Sequence, residues 1–304
     1  MLRSRMALGA AIAAVALAVT ACGSDNPTKS DTGDSAPSDT IVVGSANFQE
    51  NVLLAHIYGE ALKAKGVKVS TKLNIGSREA YVPGLEDGSI DLIPDYTGNL
   101  LLFLNKTAPE TSSDDVYAAL PKALPDKLIV LDQSKAEDKD AIVVTKETAS
   151  KHSLKSIADL EPVASKLTLG GPPEFKTRPD GIPGLKENYN VTFGTYRTLD
   201  AGGPLTVNAL KNGQIDAGDI FTTDPSITAN DFVVLDDPKS NFSAQNVVPL
   251  INKAKASDKV KSALNAVSAK LDTKTLTDLL SKVVTDKQDP NAVAKEWLSS
   301  AGLS

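Results

Sequence analysis

Short β-branched runs alternate with amphipathic stretches from residue 40 onward, which is typical of an α/β layered fold. Residues 40–43 predict a strand, and residues 50–65 predict a helix with one buried face that ends before Gly66. Residues 67–73 alternate strictly, which predicts a strand whose lysines face solvent. Further strands are expected at 128–131, 141–145, 167–169 and 233–235, and terminal helices at 257–271, 273–284 and 291–299.

A segment of the chain repeats at a fixed offset. Residues 85–91 (LEDGSID) are matched by residues 210–216 (LKNGQID), and the same offset superposes Tyr96-Thr97 on Phe221-Thr222. Each copy predicts a helix closed by glycine, then a short strand with an aromatic residue at its end. Because α/β sheets place ligands at strand ends, two such halves predict a cleft. The alternative, that both aromatics are core residues and the repeat is common helix-turn-strand pattern, stays open.

The N-terminus has the pattern of an export signal. Arg3 and Arg5 precede an uncharged stretch over residues 6–21, which ends in small residues before Cys22. This junction resembles a bacterial lipobox, in which the cysteine is lipidated. Residues 23–39 contain no large apolar side chain, so we expect 1–21 to be a signal peptide and 22–39 a flexible, lipid-anchored linker. The alternative is an ordinary export signal beside an incidental cysteine.

Composition narrows the function classes. The 304 residues are 41% hydrophobic and 23% charged, which is a globular composition. The formal net charge of −6 offers no broad cationic surface, so nucleic acid is not an expected partner. A single cysteine and two histidines supply too few ligands for an ordinary structural zinc site, and we expect neither metal nor cofactor. The prediction is an extracytoplasmic protein held at the cell membrane by lipid.

Four motifs then carry a family resemblance. They are GSANFQE (44–50), GSID leading into PDYTG (88–98), EFKTRPDG followed by Gly184-Leu185 (174–185), and TTD (222–224). In this combination the chain resembles the substrate-binding proteins of osmoprotectant ABC transporters, which bind glycine betaine, choline and related quaternary amines. The resemblance implies a two-lobed class II periplasmic-binding-protein fold with two crossover hinge segments. It also implies a monomer that captures a small solute and delivers it to permease subunits, rather than an enzyme.

The family binds its ligand with a cage of aromatic residues. A trimethylammonium group cannot donate hydrogen bonds, so it is held by ring faces, each contributing ~0.5–2 kcal/mol. By resemblance, Tyr96 matches the first cage position and Phe221 a second. Asp140 and Gln245 stand at two further positions and are not aromatic. Tyr81, Tyr189 or Tyr196 could supply the missing walls if a loop is shifted.

The resemblance also implies a carboxylate-binding side of the cleft. Ala46 stands where the family has a lysine, whereas Arg178 keeps the family's arginine, whose planar fork suits a carboxylate. The alternative for Arg178 is a surface salt bridge to Asp180 or Glu174. Other side chains expected to line the cleft are Ser45, Asn47, Phe48, Ser77, Thr97, Asn99 and Thr222.

The motifs predict where the lobes divide. The first lobe is expected to hold residues 40–141 and 247–304 and the second 142–246, with hinges near Asp140 and Gln245. The altered cage leaves open a solute that is more polar or larger than a quaternary amine. A surface sensor or an enzyme on this fold are the other readings, but His56 and His152 lie in no recognisable catalytic motif, and only Asp91 and Asp95 suggest a carboxylate pair.

Overall fold

The computed structural model describes residues 39–304. The predicted export signal, Cys22 and nearly all of the predicted linker lie outside these residues. Ten strands are present in the described part: β1 (Thr40–Gly44), β2 (Lys68–Lys72), β3 (Leu92–Tyr96), β4 (Leu128–Val130), β5 (Ile142–Val144), β6 (Thr168–Gly171), β7 (Thr195–Thr198), β8 (Ala217–Asp219), β9 (Val233–Val234) and β10 (Val247–Asn252). They form two five-stranded sheets, with orders β2-β1-β3-β10-β4 and β7-β6-β8-β5-β9.

Helices cover both faces of each sheet. They are α1 (Gln49–Ala64), α2 (Arg78–Asp87), α3 (Thr97–Leu104), α4 (Ser113–Ala123), α5 (Lys146–His152), α6 (Ile182–Tyr189), α7 (Pro204–Lys211), α8 (Ser226–Ala229), α9 (Asp258–Ser268), α10 (Thr273–Val284) and α11 (Pro290–Ser300). Helices α1 and α9–α11 share a core with one face of the first sheet, and α2–α4 share a core with the other. Helices α5–α8 cover the second sheet. We call these two assemblies the first half and the second half.

The helix and strand pattern confirms most elements expected from the sequence. Helix α1 buries Leu53, Leu54, Ile57 and Leu62 and ends before Gly66, whose φ of +73° lies in the left-handed region that favours glycine. Strand β2 lies at the edge of the first sheet, with its lysines exposed. The three C-terminal helices lie within one to three residues of their expected bounds.

The internal repeat has a structural meaning. Asp91 accepts a hydrogen bond from Val42 N at 2.8 Å, and Asp216 accepts one from Thr168 N at 2.8 Å. Each aspartate thus joins the residue before a strand to the neighbouring parallel strand, at equivalent places in the two halves. The repeated Ile-Asp motif is therefore a fold element that brings Tyr96 and Phe221 to matching strand ends.

Strand β10 was not expected, because Pro249 interrupts its apolar run and proline is rare in a central strand. In the structure β10 lies between β3 and β4, and Pro249 stands opposite Pro94 in the antiparallel register. Neither proline has an N–H, so this rung leaves no donor without a partner. The oxygen of Pro249 accepts from Leu131 N at 3.0 Å, and that of Pro94 from the Asn51 side chain at 2.9 Å.

Two crossover segments connect the halves. The chain leaves the first half after β4 and returns between β9 and β10. The segments run beside each other, with Asp138 N donating to Gln245 O at 3.1 Å and a bridge between Glu137 and Asn246. Asp138 and Asp140 therefore lie where the two halves join.

Candidate functional site

A cavity of about 130 Å³ lies where strand ends from both halves meet the crossover segment. The first half contributes the loop after β1 and the end of β3, and the second half contributes the loops after β6, β7 and β8. This is the position at which α/β sheets commonly bind ligands. An engineered cavity of about 150 Å³ holds benzene, so the volume suits the head of a small solute.

Eight of the residues expected from the sequence line this cavity: Asn47, Phe48, Ser77, Tyr96, Asn99, Asp140, Arg178 and Phe221. The structure thus brings together residues that are up to 174 positions apart, from Asn47 to Phe221 (221 − 47). Ala46, at the family's lysine position, also lies in the wall. The described wall contains two arginines, Arg78 and Arg178, and no lysine.

The other four expected residues lie behind the wall. Ser45 Oγ accepts from Asn74 N at 2.9 Å, and Thr97 Oγ1 donates to Ala244 O at 3.2 Å. Thr222 Oγ1 donates to Asp138 at 3.2 Å. Gln245 is fully buried, where its amide pairs with the Asn99 backbone and side chain at 2.9 and 2.6 Å. These contacts position residues of the wall, and direct ligand contact by the four stays a prediction.

Aromatic rings from both halves meet at the cavity. The Phe48 ring centroid lies 6.0 Å from that of Tyr96 and 5.1 Å from that of Phe221. Tyr81 also lines the wall. Tyr189 and Tyr196, the other two candidates for shifted walls, do not, because Tyr189 OH donates to Asp237 and Tyr196 OH donates to Pro172 O. The described aromatic wall therefore consists of four rings and not the two that motif matching alone supplied.

Tyr81 and Arg78 are fixed by a buried carboxylate that the sequence analysis missed. Arg78 donates twice to Asp95 Oδ1, at 3.0 Å from Nε and 2.6 Å from Nη2, and Tyr81 OH donates to Oδ2 at 2.9 Å. Asp91 is bound elsewhere, to the Val42 backbone. The suggested carboxylate pair of Asp91 and Asp95 is therefore wrong, because the two lie at opposite ends of β3 with separate partners.

A second buried acidic group joins the halves. Glu50, in the first turn of α1, accepts from Tyr96 OH at 2.7 Å and from Thr223 Oγ1 at 2.5 Å. Asp138 accepts from Thr223 N at 3.1 Å and shares a hydrogen bond with Glu50. Burial raises the pKa of Glu50, and burial together with the Glu50 charge raises the pKa of Asp138 well above its usual range. A carboxyl–carboxylate hydrogen bond of this kind requires a shared proton.

A third acidic group lies on the second-half side of the cavity. Asp140 lines the wall and accepts from Asn99 Nδ2 at 2.7 Å. Behind it, burial and the Asp140 charge raise the pKa of Asp180 to about 7. Burial raises the pKa of Asp219 further, and neither Asp219 oxygen accepts a hydrogen bond from a described residue. A proton kept on Asp219 is donated to Asp140.

Arg178 reaches across the cleft. Its Nη2 lies 3.3 Å from Glu79 Oε2 on α2, whereas its side chain is 23% exposed. The alternative salt bridge to Asp180 or Glu174 is not formed, because the guanidinium points toward the opposite half. This weak, solvent-accessible pair leaves Arg178 available to an incoming carboxylate.

Comparison with known proteins agrees with this geometry. The family model for the substrate binding domain of ABC-type glycine betaine transport systems matches residues 39–300, and the chain belongs to that family. It is 27% identical to a glycine-betaine-binding protein of Pseudomonas aeruginosa, over 86% of this chain and 88% of the relative. It is 26% identical to an ergothioneine transport permease/binding protein of Helicobacter pylori, over 86% of this chain and 48% of that longer protein.

A solved structure supports the fold. The crystal structure of a glycine betaine/carnitine/choline ABC transporter protein aligns with a TM-score of 0.69 and 24% identity, covering 86% of this chain and 99% of the other. The expected two-lobed periplasmic-binding-protein fold is confirmed. The chain is thus a substrate-binding protein of an ABC transport system, of an extracytoplasmic family. Among residues 39–304, no helix is long and apolar enough to cross a membrane.

Proposed function

We propose that this protein captures a quaternary-amine osmoprotectant, such as glycine betaine or choline, between two lobes and delivers it to ABC permease subunits. The lobes are residues 40–141 with 247–304, and residues 142–246. The observation that carries the ligand assignment is the set of rings at one cavity: Phe48 and Tyr96 from the first half and Phe221 from the second. A methylated ammonium group binds ring faces and needs no hydrogen-bond acceptor.

The charges of the wall orient such a ligand. Asp140 supplies a carboxylate beside the rings, where it opposes the ammonium charge. Arg178, near the other edge, supplies a guanidinium for the ligand's carboxylate or hydroxyl. Both groups approach from a crossover or from the second half, so they contact the ligand fully only when the halves are closed. Ligand contacts thereby favour the closed state.

The relatives support the same class of ligand. By their names they bind glycine betaine, ergothioneine, carnitine or choline, all of which carry a trimethylammonium group. We further propose that the protein is a monomer without enzymatic activity, held at the membrane by a lipid on Cys22. Mass spectrometry of the N-terminal peptide tests the lipid, and an unmodified Cys22 would rule it out.

A second candidate ligand class is favoured by one observation. Asp140 is backed by Asp180 and Asp219, and Asp219 has no protein donor. A cation that carries N–H groups would donate to this acidic wall, whereas a trimethylammonium cannot. The retuned site would then prefer a primary amine.

Titration calorimetry distinguishes the two classes. The purified protein is titrated with glycine betaine, choline, carnitine and ergothioneine, and with ethanolamine as the unmethylated counterpart of choline. Micromolar binding of choline or a betaine with weak ethanolamine binding is the expected result. Preference for ethanolamine over choline would support the retuned site, and silence across the panel would overturn both.

A further inference from the structure

The cleft continues past the aromatic rings into a second cavity. This cavity has a volume of about 330 Å³, more than twice the first. Five residues line both cavities: Asn47, Phe48, Asp200, Ala201 and Phe221. The two spaces therefore share one wall and are chambers of a single cleft.

The shared wall is built from both halves. Phe48 belongs to the first half and Phe221 to the second, with ring centroids 5.1 Å apart. Gly202 backs the Phe221 ring, because a Cβ there would lie 3.1 Å from the ring, and its φ of +62° also favours glycine. Since the two rings sit on opposite halves, a small opening movement widens the gap between the chambers without a change of rotamer.

The second chamber differs chemically from the first. Its walls come from α7 in the second half and α10 in the first, and include Val207, Leu280 and Val284. Its acidic group Asp224 is three-quarters buried and accepts from Ser226 N at 2.7 Å. The chamber thus offers apolar surface for an uncharged chain, whereas the first chamber holds Asp140 and Tyr96, which suit the ammonium head.

We propose that the second chamber is a subsite for the uncharged tail of an elongated quaternary amine whose ammonium head occupies the first. This inference rests on the proposed function, because the head must bind for the tail to be directed. It assigns to Phe48 and Phe221 a further role, since their contact sets how freely a tail passes. Osmoprotectants with short tails would leave the chamber to water.

The test is a chain-length series. The purified protein is titrated with tetramethylammonium and with propyl-, butyl-, pentyl- and hexyltrimethylammonium, below the concentrations at which such amines aggregate. Burial of each methylene in the chamber is expected to tighten binding by about fourfold until the chamber is filled. The stoichiometry is expected to remain one throughout.

A matched pair of variants places the tail. Val284, on the last turn of α10, lines the second chamber and not the first, so Val284→Phe narrows the subsite alone. It should remove most of the chain-length gain while leaving tetramethylammonium binding within twofold of the wild type. Val234→Phe is the control, because Val234 is 37% exposed on edge strand β9 and lines neither chamber.

The outcomes separate the two proposals. No binding of any quaternary amine, short or long, would overturn the proposed function. Binding of tetramethylammonium with no gain along the series would overturn the subsite alone. A gain that survives in Val284→Phe would place the tail elsewhere and would equally overturn it.

Discussion

Thr223 donates a 2.5 Å hydrogen bond to Glu50, and this contact joins the second half of the protein to the first across the ligand cleft. The other oxygen of Glu50 accepts from Tyr96, a residue of the proposed cage. Asp138, on the crossover segment, shares a proton with Glu50 and accepts from the Thr223 backbone. Lobe closure, the cage and one buried proton are therefore linked in a single network.

The first prediction concerns pH. Burial raises the pKa of Glu50 and of Asp138, so the closed state holds a proton that an open, hydrated cleft releases above about pH 5. Closure then takes up a proton, and affinity falls as pH rises, by at most tenfold per pH unit for one proton. The groups facing Glu50 are Asp138, Tyr96 and Asp224. Glu50→Gln keeps the hydrogen bonds without the shared charge, and we expect it to flatten the calorimetric Kd profile between pH 5 and 8.

The control for this prediction is Glu147→Gln, on the surface of α5. Asp180 and Asp219 also have raised pKa values and remain in the variant, so the informative quantity is the difference between the variant and wild-type slopes. Equal slopes in Glu50→Gln and the wild type would show that the pair does not control closure.

The second prediction separates Arg178 from its partner. Arg178→Ala should weaken a carboxylate-bearing ligand such as glycine betaine by ~1.5–3 kcal/mol, about ten- to hundredfold in Kd, because a charge-assisted hydrogen bond is lost. Choline, which has no carboxylate, should change little. Glu79→Ala removes the 3.3 Å partner of Arg178 and serves as the control, since it leaves the guanidinium free for the ligand. Calorimetry that finds equal losses for both ligands would remove Arg178 from the carboxylate site.

The sequence predicted the parts of this site that have local signals. Tyr96 and Phe221 were found because a repeated helix-turn-strand segment places each at a strand end, and Arg178 because it lies in a recognisable motif. Glu50 and Asp138 were missed for a physical reason. An acid in the first turn of a helix is ordinarily explained by the helix dipole, and Asp138 lies in the charged run EDKD, which is typical of solvated surface.

The buried network is invisible to such reasoning because its members come from α1, β3, the crossover and the loop after β8. Whether a carboxyl group is buried depends on partners distant in the chain, and periodicity carries no information about them. The same holds for Asp95, whose partners Arg78 and Tyr81 lie on the preceding helix. Strand β10 was missed because a central strand seldom contains proline, and only the register opposite Pro94 makes Pro249 acceptable.

The third prediction tests the ring of Tyr96. Tyr96→Ala should weaken choline and glycine betaine at least tenfold, because it removes a ring face from the ammonium site. Tyr96→Phe keeps the ring and loses only the 2.7 Å hydrogen bond to Glu50, so its Kd should stay within a few-fold of the wild type. Tyr96 is 6% exposed and packs in the core of the first half, so thermal melts must show that both variants fold. Unchanged binding in a folded Tyr96→Ala variant would mean that the cleft is misplaced.

The last prediction concerns the charge of Asp140. Asp140→Asn removes the carboxylate nearest the rings while keeping an oxygen that accepts from Asn99, whose bond to Asp140 is 2.7 Å long. Choline carries a net positive charge and should lose tenfold or more in affinity, whereas zwitterionic glycine betaine should lose less, because removing Asp140 also relieves repulsion of its own carboxylate. Since the Asp140 charge helps to raise the pKa of Asp180, that pKa should fall below about 7 in the unliganded variant, which an NMR titration would detect. Equal losses for choline and glycine betaine, or an Asp180 pKa that does not move, would show that Asp140 acts through the packing of the hinge and not through its charge.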